Sequence, residues 1–342
     1  MKGRPTQKQI AERLGLSTAT VSLALKDSPM IAAQTRRLVR EAMREAGYVP
    51  NIAAASLRTG RTRIVGVSFH NIAHQFFAEM LIAIEETLGA AGGAVFLNNH
   101  GEDAASLARF VESLAAYGAD GLLVSPPPDT GIAVLAPLRD RGVPVVYVSR
   151  HIAADAGADR VVNADRRAMA TATRRLLDLG HRRIALIGGQ PGTSVATERI
   201  AGFRAELEGA GIAYEPRLWR QCRPRLVEGA AATRETLAWA ARPTGYVCFN
   251  DLVAFGAMNA LRAAGLQPGR DAGVVGIGGT EEAAAFSPSL TTVLDNPAKI
   301  GRMAAELLLA RLEEPSGPPR RITLDPKLMI RESCGGPLGH ER

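Results

Sequence analysis

The sequence predicts an α/β protein in which a small helical head precedes two doubly wound α/β units. From residue 64 onward, short runs rich in β-branched residues alternate with longer helical patterns, which is typical of parallel sheets covered by helices on both faces. The residues before this point show helical patterns alone. With 342 residues and 46% hydrophobic composition, the chain is long enough for two or three packed cores.

The head begins with a pattern of two short helices within residues 6–25, joined by a turn at Gly15. The apolar positions have helical spacing, with Ile10, Ala11 and Leu14 in the first helix and Val21 and Leu25 in the second. Ser17 stands where it can cap the second helix. This arrangement predicts a helix-turn-helix motif, although an ordinary helical hairpin would show the same pattern.

The remaining residues of the second helix would face outward, where a helix-turn-helix motif presents side chains to the major groove of DNA. The candidate DNA-contacting residues of the head are Thr6, Ser17, Thr18, Ala19, Thr20, Ser22 and Leu23. Leu23 has no hydrogen-bonding group, so we expect an apolar contact between it and a thymine methyl group. The alternative is that Leu23 packs inward.

The net positive charge of the chain is confined to its head. Residues 1–63 hold 12 lysines and arginines against four acids, whereas the rest of the chain holds 29 against 30. The head therefore accounts for all of the formal net charge of +7. This distribution indicates a module that neutralises phosphates, and the alternative is a solvated basic face without a partner.

A third amphipathic helix is predicted over residues 34–46, with Gly47 as its C-terminal cap. Its apolar positions are Leu38, Val39, Ala42, Met43 and Ala46. Pro50 then interrupts the chain before an alanine-rich stretch, residues 52–58, which can form two helical turns but has little of its own to pack against. Residues 59–62 follow as a predicted linker.

The remainder of the chain alternates between strand and helix patterns. Strands are predicted over residues 64–67, 94–97, 121–124, 145–148, 184–187, 246–249 and 273–276. Helices are predicted over residues 76–90, 106–117, 169–179, 200–210, 226–240 and 251–264. Because one compact sheet would not hold so many units, we predict two sheets with a ligand site between the carboxyl ends of their strands.

Several classes of protein are not supported by the sequence. No apolar run approaches the roughly 20 residues of a membrane span, and the N-terminus lacks a secretory signal, so we expect a cytoplasmic protein. The three cysteines are widely separated, which favours reduced packing thiols. The six histidines have no metal-binding spacing, and we expect neither a metal nor a cofactor.

Seven stretches follow one another along the chain, namely QIAERLGLSTATVSLAL, REAGYVPNIAAASLRTGRT, FFAEMLIAIE, LLDLGHRRIALIGG, ERIAGFRAEL, FNDLVAFGAM and SLTTV. Through them the chain resembles the lactose repressor family of bacterial transcription regulators. The resemblance implies a helix-turn-helix head, a hinge helix, and two doubly wound subdomains of periplasmic-binding-protein type I architecture linked by three crossovers. It also implies a homodimer, a roughly palindromic double-stranded DNA operator, and a small-molecule effector that changes the affinity for DNA.

The resemblance also implies domain boundaries. The expected DNA-binding domain is residues 1–50, the hinge helix and linker are residues 51–62, and the effector-binding and dimerisation core is residues 63–342. Within the core, the N-subdomain would take about residues 63–161 and 293–325, and the C-subdomain about residues 162–292 and 326–342. Both induction and co-repression occur in this family, so the sequence leaves the sign of the response open.

In the expected hinge helix, Leu57 falls where this family inserts a leucine into the minor groove at the operator centre. Arg58 beside it would follow the narrowed groove or its phosphates. Leu57 can also pack against the hinge helix of the other subunit, and the two roles are compatible.

The resemblance further implies an effector cleft between the two subdomains. Its expected effector-binding residues are Phe76, Phe77, Ser125, Ser149, Arg150, Arg199, Asn250, Asp251, Gly278 and Asp295. Gly278 and Gly279 stand where sugar-binding members have two aspartates, and Ser149 stands where an aspartate is common. Asp295 can restore one carboxylate.

The loss of these acids predicts a more positive cleft. The arginines expected in or near it are Arg150, Arg199, Arg223 and Arg225. The cleft would then suit an anionic effector such as a sugar acid or a phosphorylated sugar. The alternative is that the arginines are solvated and the effector is a neutral sugar.

Two other classes of function fit the sequence less well. A periplasmic-type sugar-binding protein without DNA function would have a secretory signal and no basic helical head. An enzyme is not supported, because GIGG at residues 276–279 lacks the context of a dinucleotide fingerprint, and the sequence contains neither a Walker A motif nor a G-x-S-x-G elbow. The expected function is allosterically controlled repression of transcription, without catalysis.

Overall fold

The computed structural model describes residues 5–25, 27–48 and 60–335. The chain forms two compact units that divide between Thr62 and Arg63. The first unit contains a three-helix head, and the second contains a core of two sheets. No helix in the described ranges combines the length and the apolar composition that a membrane span requires.

The head consists of helices α1 (Gln7–Leu14), α2 (Thr18–Leu25) and α3 (Ala33–Ala46). A capping box begins α1, because Thr6 Oγ1 accepts from the Gln9 N–H at 3.3 Å while Gln9 Oε1 accepts from the Thr6 N–H at 2.8 Å. Gly15 ends α1 with a left-handed φ of 64°, and Gly47 ends α3 in the same way. The three predicted helices are therefore present, with the predicted glycine caps.

The core of the head is small and apolar. Its buried residues are Ile10, Ala11, Val21, Ala24, Val39, Ala42 and Met43. The prediction that Leu38 belongs to this apolar face is wrong, since its side chain is 49% exposed. The buried stripe of α3 runs through Val39, Ala42 and Met43, and Leu38 lies outside its edge, about 100° around the helix from Val39.

The strands of the core are β1 (Ile64–Phe69), β2 (Ala94–Asn99), β3 (Gly121–Val124), β4 (Val145–Val148), β5 (Asp159–Asn163), β6 (Ile184–Ile187), β7 (Trp219–Arg220), β8 (Gly245–Cys248), β9 (Gly273–Gly278), β10 (Thr291–Leu294), β11 (Arg321–Leu324) and β12 (Leu328–Met329). Its helices are α4 (Gln75–Ala90), α5 (Ala104–Tyr117), α6 (Ala136–Arg139), α7 (Asp165–Asp178), α8 (Ser194–Gly209), α9 (Leu226–Leu237), α10 (Asp251–Ala263), α11 (Glu281–Ala285) and α12 (Pro297–Glu313).

These elements form two lobes, each with a six-stranded sheet. The sheet of the N-lobe has the order β11-β5-β4-β3-β1-β2 and is parallel throughout. The sheet of the C-lobe has the order β12-β10-β9-β8-β6-β7, in which only β12 is antiparallel to its neighbour. The chain passes between the lobes three times, after β5, after β10 and after β11. The predicted pair of doubly wound subdomains is thus confirmed.

All seven predicted strands are present, but the prediction missed β5, β7, β10, β11 and β12. Strands β7 and β12 have two residues each, which is too short for a hydrophobic pattern. Charged residues interrupt β5 and β11, where Arg160 pairs in register with Arg321. The predicted helix over residues 226–240 is also too long, because α9 ends at Leu237.

Candidate functional site

The second helix of the head presents a small polar surface. Ser17, Thr18 and Ala19 are exposed, and Leu23 is half-buried. Ser17 Oγ accepts a hydrogen bond from the Thr20 N–H at 3.0 Å, so Ser17 caps α2 as expected. Because Val21 and Ala24 fill the core of the head, part of the Leu23 side chain remains available at the surface.

Acids of the head neutralise several of its basic side chains. Arg13 pairs with Glu45, Arg40 pairs with Asp27, and Lys8 lies 3.9 Å from Glu12. Two exposed arginines, Arg37 and Arg44, have no ion-pair partner in the described part of the head. Leu57 and Arg58 lie outside the described residues, so their expected roles in the minor groove stay predictions.

A cavity of about 1060 Å³ lies between the N-lobe and the C-lobe. Loops that follow the carboxyl ends of strands surround it, as expected for doubly wound sheets. The predicted effector-binding residues that line it are Phe76, Phe77, Ser149, Arg150, Arg199, Asn250, Asp251, Gly278 and Asp295. This volume is ample for a small organic ligand.

Ser125 is the predicted effector-binding residue that does not line the cavity. Its side chain is fully buried, and its carbonyl oxygen lies 3.0 Å from His100 Nε2. Ser125 directly follows β3. The expectation that Ser125 contacts the effector is therefore not supported by its position.

Arg199 is bound to two carboxylates rather than presented freely to the cavity. Its Nε donates to Asp165 Oδ1 at 2.6 Å, and its Nη2 lies 3.3 Å from Asp295 Oδ1. Its Nη1 donates to the carbonyl oxygen of Phe249, and its guanidinium lies 5.3 Å from the centre of the Phe249 ring. All three side chains of the ionic cluster are at least nine-tenths buried.

The carboxylates of this cluster carry shifted pKa values. Burial raises the pKa of Asp165 to about 6, although the adjacent Arg199 opposes the rise. Burial also raises the pKa of Asp295, and Arg199 again opposes it. One guanidinium thus pairs with two carboxylates. The cluster therefore has a net negative charge when Asp165 and Asp295 are both ionised.

Arg150 is neutralised as well. It binds Glu102 through two parallel hydrogen bonds of 2.8 Å and 3.0 Å. Arg223 and Arg225, the two further arginines expected nearby, do not line the cavity. The residues that follow them, Pro224 and Leu226, do line it.

The cavity wall as a whole carries as many acids as bases. Its charged residues are Arg150, Arg199, Lys299 and Arg302 against Glu79, Asp251, Glu282 and Asp295. The excess of positive charge on which the anionic-effector prediction depended is therefore absent from the described wall.

Asp251 holds the loop that follows β9. Its carboxylate accepts from the backbone N–H groups of Gly279 and Thr280 at 2.7 Å and 3.1 Å, and from the Thr292 hydroxyl at 2.6 Å. A side chain at Gly278 would place its Cβ 2.9 Å from the Asp251 carboxylate. The absence of a side chain at Gly278 therefore lets this loop close over Asp251.

Sequence reasoning missed much of the cavity wall. The missed residues include His70, His74, Gln190, Thr193, Phe249 and Phe286. His70 directly follows β1, so its place after the carboxyl end of a predicted strand was a usable signal. Phe249 directly follows β8 and carried the same signal, whereas the remaining missed residues lie in loops or on helices.

The two histidines of the wall are neutral. Burial and the neighbouring Arg150 lower the pKa of His70 to about 2, and burial lowers the pKa of His74. His74 Nδ1 accepts from the Phe76 N–H at 3.3 Å and thereby caps α4. His74 Nε2 lies 3.5 Å from the Asn250 side-chain nitrogen on the opposite lobe.

Comparison with known families matches both units of the chain. Residues 6–51 match the model described as bacterial regulatory proteins, lacI family. Residues 173–334 match the model of a periplasmic binding protein-like domain. Helices α1 to α3 lie within the first match, and most of the C-lobe lies within the second.

Curated relatives match over nearly the full length. The chain is 31% identical to the transcriptional repressor PurR of Erwinia tasmaniensis over 331 residues, which cover 96% of each chain. It is 29% identical to the ribose operon repressor of Haemophilus influenzae over 333 residues, which cover 96% of this chain and 98% of the relative.

Solved structures of regulators have a similar fold. The lac repressor dimer bound to operator and the anti-inducer ONPF matches with a TM-score of 0.85 and 25% identity, over 97% of this chain and all of that one. The complex of the transcriptional regulator CelR with cellobiose matches with a TM-score of 0.73 and 29% identity, over 96% of this chain and all of that one.

Proposed function

This chain belongs to the lacI family of bacterial regulatory proteins. On that basis we propose which of its residues bind DNA, which bind the effector and which form the dimer. It is a DNA-binding transcriptional regulator with an effector-binding core. Residues 1–50 bind DNA, residues 51–62 form the hinge, and residues 63–342 bind the effector and a second copy of the chain. The boundary between Thr62 and Arg63 supports this division.

In the head, Thr18, Ala19 and Leu23 face the bases of the major groove, and Ser17, Thr20 and Ser22 flank them on the same helix. The exposed arginines Arg37 and Arg44 are available to phosphates. In the hinge, Leu57 enters the minor groove and Arg58 follows it. Replacing Leu57 by alanine should weaken operator binding strongly. Unchanged affinity would contradict the proposed insertion of Leu57 into the minor groove.

The effector of this regulator is a neutral sugar. The observation that carries this proposal is the charge-balanced cavity, in which aromatic side chains such as Phe76, Phe77 and Phe249 lie beside buried polar groups. Aromatic faces and fixed hydrogen-bonding groups together suit a polyhydroxylated ring. Two of the named relatives agree, since one is a ribose operon repressor and another is complexed with cellobiose.

A thermal-shift screen tests the effector class. The full chain is heated with D-ribose, cellobiose, D-gluconate and ribose 5-phosphate, each at a concentration far above the expected Kd. Hits are then added to a DNA-binding assay on a sequence selected from random DNA. Stabilisation by a neutral sugar with a change in DNA affinity of roughly 5- to 150-fold supports the proposal. Stabilisation only by the two acidic compounds would refute it.

The dimer buries the free edge of the N-lobe sheet. Strand β2 is the last strand in the sheet order, and its side chains Phe96 and Leu97 are 36% and 41% exposed. Tyr117 lies against Phe96 with ring centres 5.6 Å apart and is itself 63% exposed. An apolar sheet edge of this kind favours pairing with another chain. The Leu97→Asp variant should sediment as a monomer at concentrations where the parent chain is dimeric.

The protein acts by binding rather than by catalysis, because the relatives that it matches are named as repressors. We expect it to act in the cytoplasm, because the bacterial chromosome is located there.

A further inference from the structure

Two hydrogen-bond donors face each other across the cavity, one from each lobe. His74 Nδ1 accepts from the Phe76 N–H, and the ring is neutral, so its single proton is on Nε2. Asn250 Oδ1 accepts from the Val253 N–H at 2.9 Å and caps α10, which leaves the Nδ2 amide group to face the cavity. His74 Nε2 and Asn250 Nδ2 are 3.5 Å apart.

Neither side chain can adapt to the other without losing a helix cap. If His74 carried its proton on Nδ1, this N–H would face the Phe76 N–H at the start of α4. If the Asn250 amide were turned, its NH2 group would face the Val253 N–H at the start of α10. Either change sacrifices a cap, whose loss is costly. The two donors are therefore held in place, and residues 60–335 supply no acceptor between them.

A second histidine on the same wall also has an unsatisfied nitrogen. The side chain of His70 is 10% exposed, and its Nδ1 is buried with no hydrogen-bond partner in residues 60–335. Its Nε2 lies 3.7 Å from Glu102, which Arg150 already binds. The ring of Phe77 packs against both histidines, with centre-to-centre distances of 4.5 Å to His70 and 6.3 Å to His74.

We propose that His74 and Asn250 jointly bind one oxygen atom of the effector, and that His70 binds a neighbouring polar group. The oxygen accepts a hydrogen bond from each donor, so a sugar ring oxygen or hydroxyl fits it. This assignment rests on the proposed function in taking the cavity as the effector site. Because His74 belongs to the N-lobe and Asn250 to the C-lobe, one effector atom then joins the two lobes.

The donor pair is tested first without any ligand. The variant Asn250→Asp keeps the cap of α10 and replaces the second donor by a carboxylate oxygen, which can accept from His74 Nε2. His74→Asn keeps the cap of α4, because asparagine is a preferred N-cap residue, but its shorter side chain does not reach Asn250. The two substitutions and their combination form a double-mutant cycle read by thermal unfolding.

The substitution Asn250→Asp also adds a negative charge beside Asp251 and Asp295. The resulting repulsion lowers stability equally in the chain with His74 and in the His74→Asn variant, so it cancels in the cycle. We expect the change in Tm caused by Asn250→Asp to be about 2 °C more favourable in the chain that contains His74 than in the His74→Asn variant. Asp103→Asn, an N-cap exchange at α5 away from the cavity, is the matched control and should show no coupling to Asn250→Asp. Additive effects at positions 74 and 250 would overturn the proposal.

Nitrogen-15 NMR of the histidine side chains gives an independent reading, since it distinguishes the two neutral tautomers. His74 should carry its proton on Nε2 at neutral pH, and a proton on Nδ1 would overturn the donor pair.

The effector itself is then tested with D-ribose and cellobiose on the parent chain and on His74→Asn. For whichever sugar binds, His74→Asn should weaken binding about threefold to tenfold. Equal affinity in both chains would contradict the proposal. If neither sugar stabilises the parent chain, the neutral-sugar proposal fails, while the cycle and the tautomer still decide the donor pair.

Discussion

Arg199 donates to Asp165 across 2.6 Å inside the C-lobe, and both side chains are more than nine-tenths buried. Asp165 lies just after the first passage between the lobes, and Asp295, the second partner of Arg199, lies at the second passage. One guanidinium of α8 therefore ties together two of the three segments that connect the lobes. This structural role is distinct from the effector contact that the family resemblance implies for Arg199.

Replacing Arg199 by alanine should destabilise the core strongly. It would leave two buried carboxylates without their cation, and removing one partner of a buried ion pair typically costs about 3 to 5 kcal/mol. Urea unfolding followed by tryptophan fluorescence measures the effect, because Trp219 and Trp239 both belong to the C-lobe. Arg174→Ala, which removes an arginine that is 61% exposed and paired with Glu206, is the control and should change the stability little, because solvent-exposed ion pairs contribute little. Similar losses for the two variants would contradict a clamping role.

The contribution of Asp165 to the stability of the core should fall as the pH rises from about 4 to about 6. The pKa of Asp165 in the folded chain is about 6, above the 3.8 of the exposed side chain, so the folded state binds this proton more tightly than the unfolded state. The contribution of Asp165 is therefore present at low pH and is lost as the carboxyl ionises. Its size is at most about 3 kcal/mol.

Asp165→Asn removes this titration while keeping a hydrogen-bonding group beside Arg199. The unfolding free energy of the parent chain minus that of the variant, measured between pH 4 and pH 7, should therefore fall as the pH rises. Identical slopes would show that Asp165 does not titrate in this range.

Local patterns sufficed to predict the parts of the fold that depend on neighbouring residues. The glycines that end the first and third helices, Gly15 and Gly47, and the seven predicted strands follow from spacing alone, and all are present. Strand β5 was missed because Asp159 and Arg160 interrupt its apolar run. Asp159 is satisfied by Arg311 of α12, at 2.7 Å and 152 residues away, which no local pattern reveals.

The same limit applies to the cavity. The family resemblance named nine residues of its wall, yet the charges of Arg150 and Arg199 were judged without their partners. Glu102 and Asp165 are remote from these arginines in sequence and become neighbours only after the strands assemble. The predicted positive cleft failed because electrostatics depends on such distant pairs.

Close packing between α7 and α8 should make Gly202 intolerant of a side chain. A Cβ built at Gly202 would lie 2.1 Å from the carbonyl oxygen of Arg166 in α7, so Gly202→Ala should force the helices apart and cost about 1 to 3 kcal/mol. Gly209, the last residue of the same helix, has open space around its Cβ position. Gly209→Ala should therefore be neutral or stabilising by up to about 1 kcal/mol. Equal stability of the two variants, measured by urea unfolding, would contradict this account of the packing.

Leu23 should read a thymine in the operator. Its half-buried side chain on α2 offers an apolar contact and no hydrogen bond, so it can favour the methyl group of thymine over cytosine. Selection from random DNA with the parent chain should yield a site with a preferred thymine, and changing that base to cytosine should cost about 1 to 3 kcal/mol. Leu23→Ala should abolish the preference at that one position and leave the salt dependence of binding unchanged, because no phosphate contact is lost. If the selected site keeps the same thymine with Leu23→Ala, the preference comes from DNA shape or from another residue of α2.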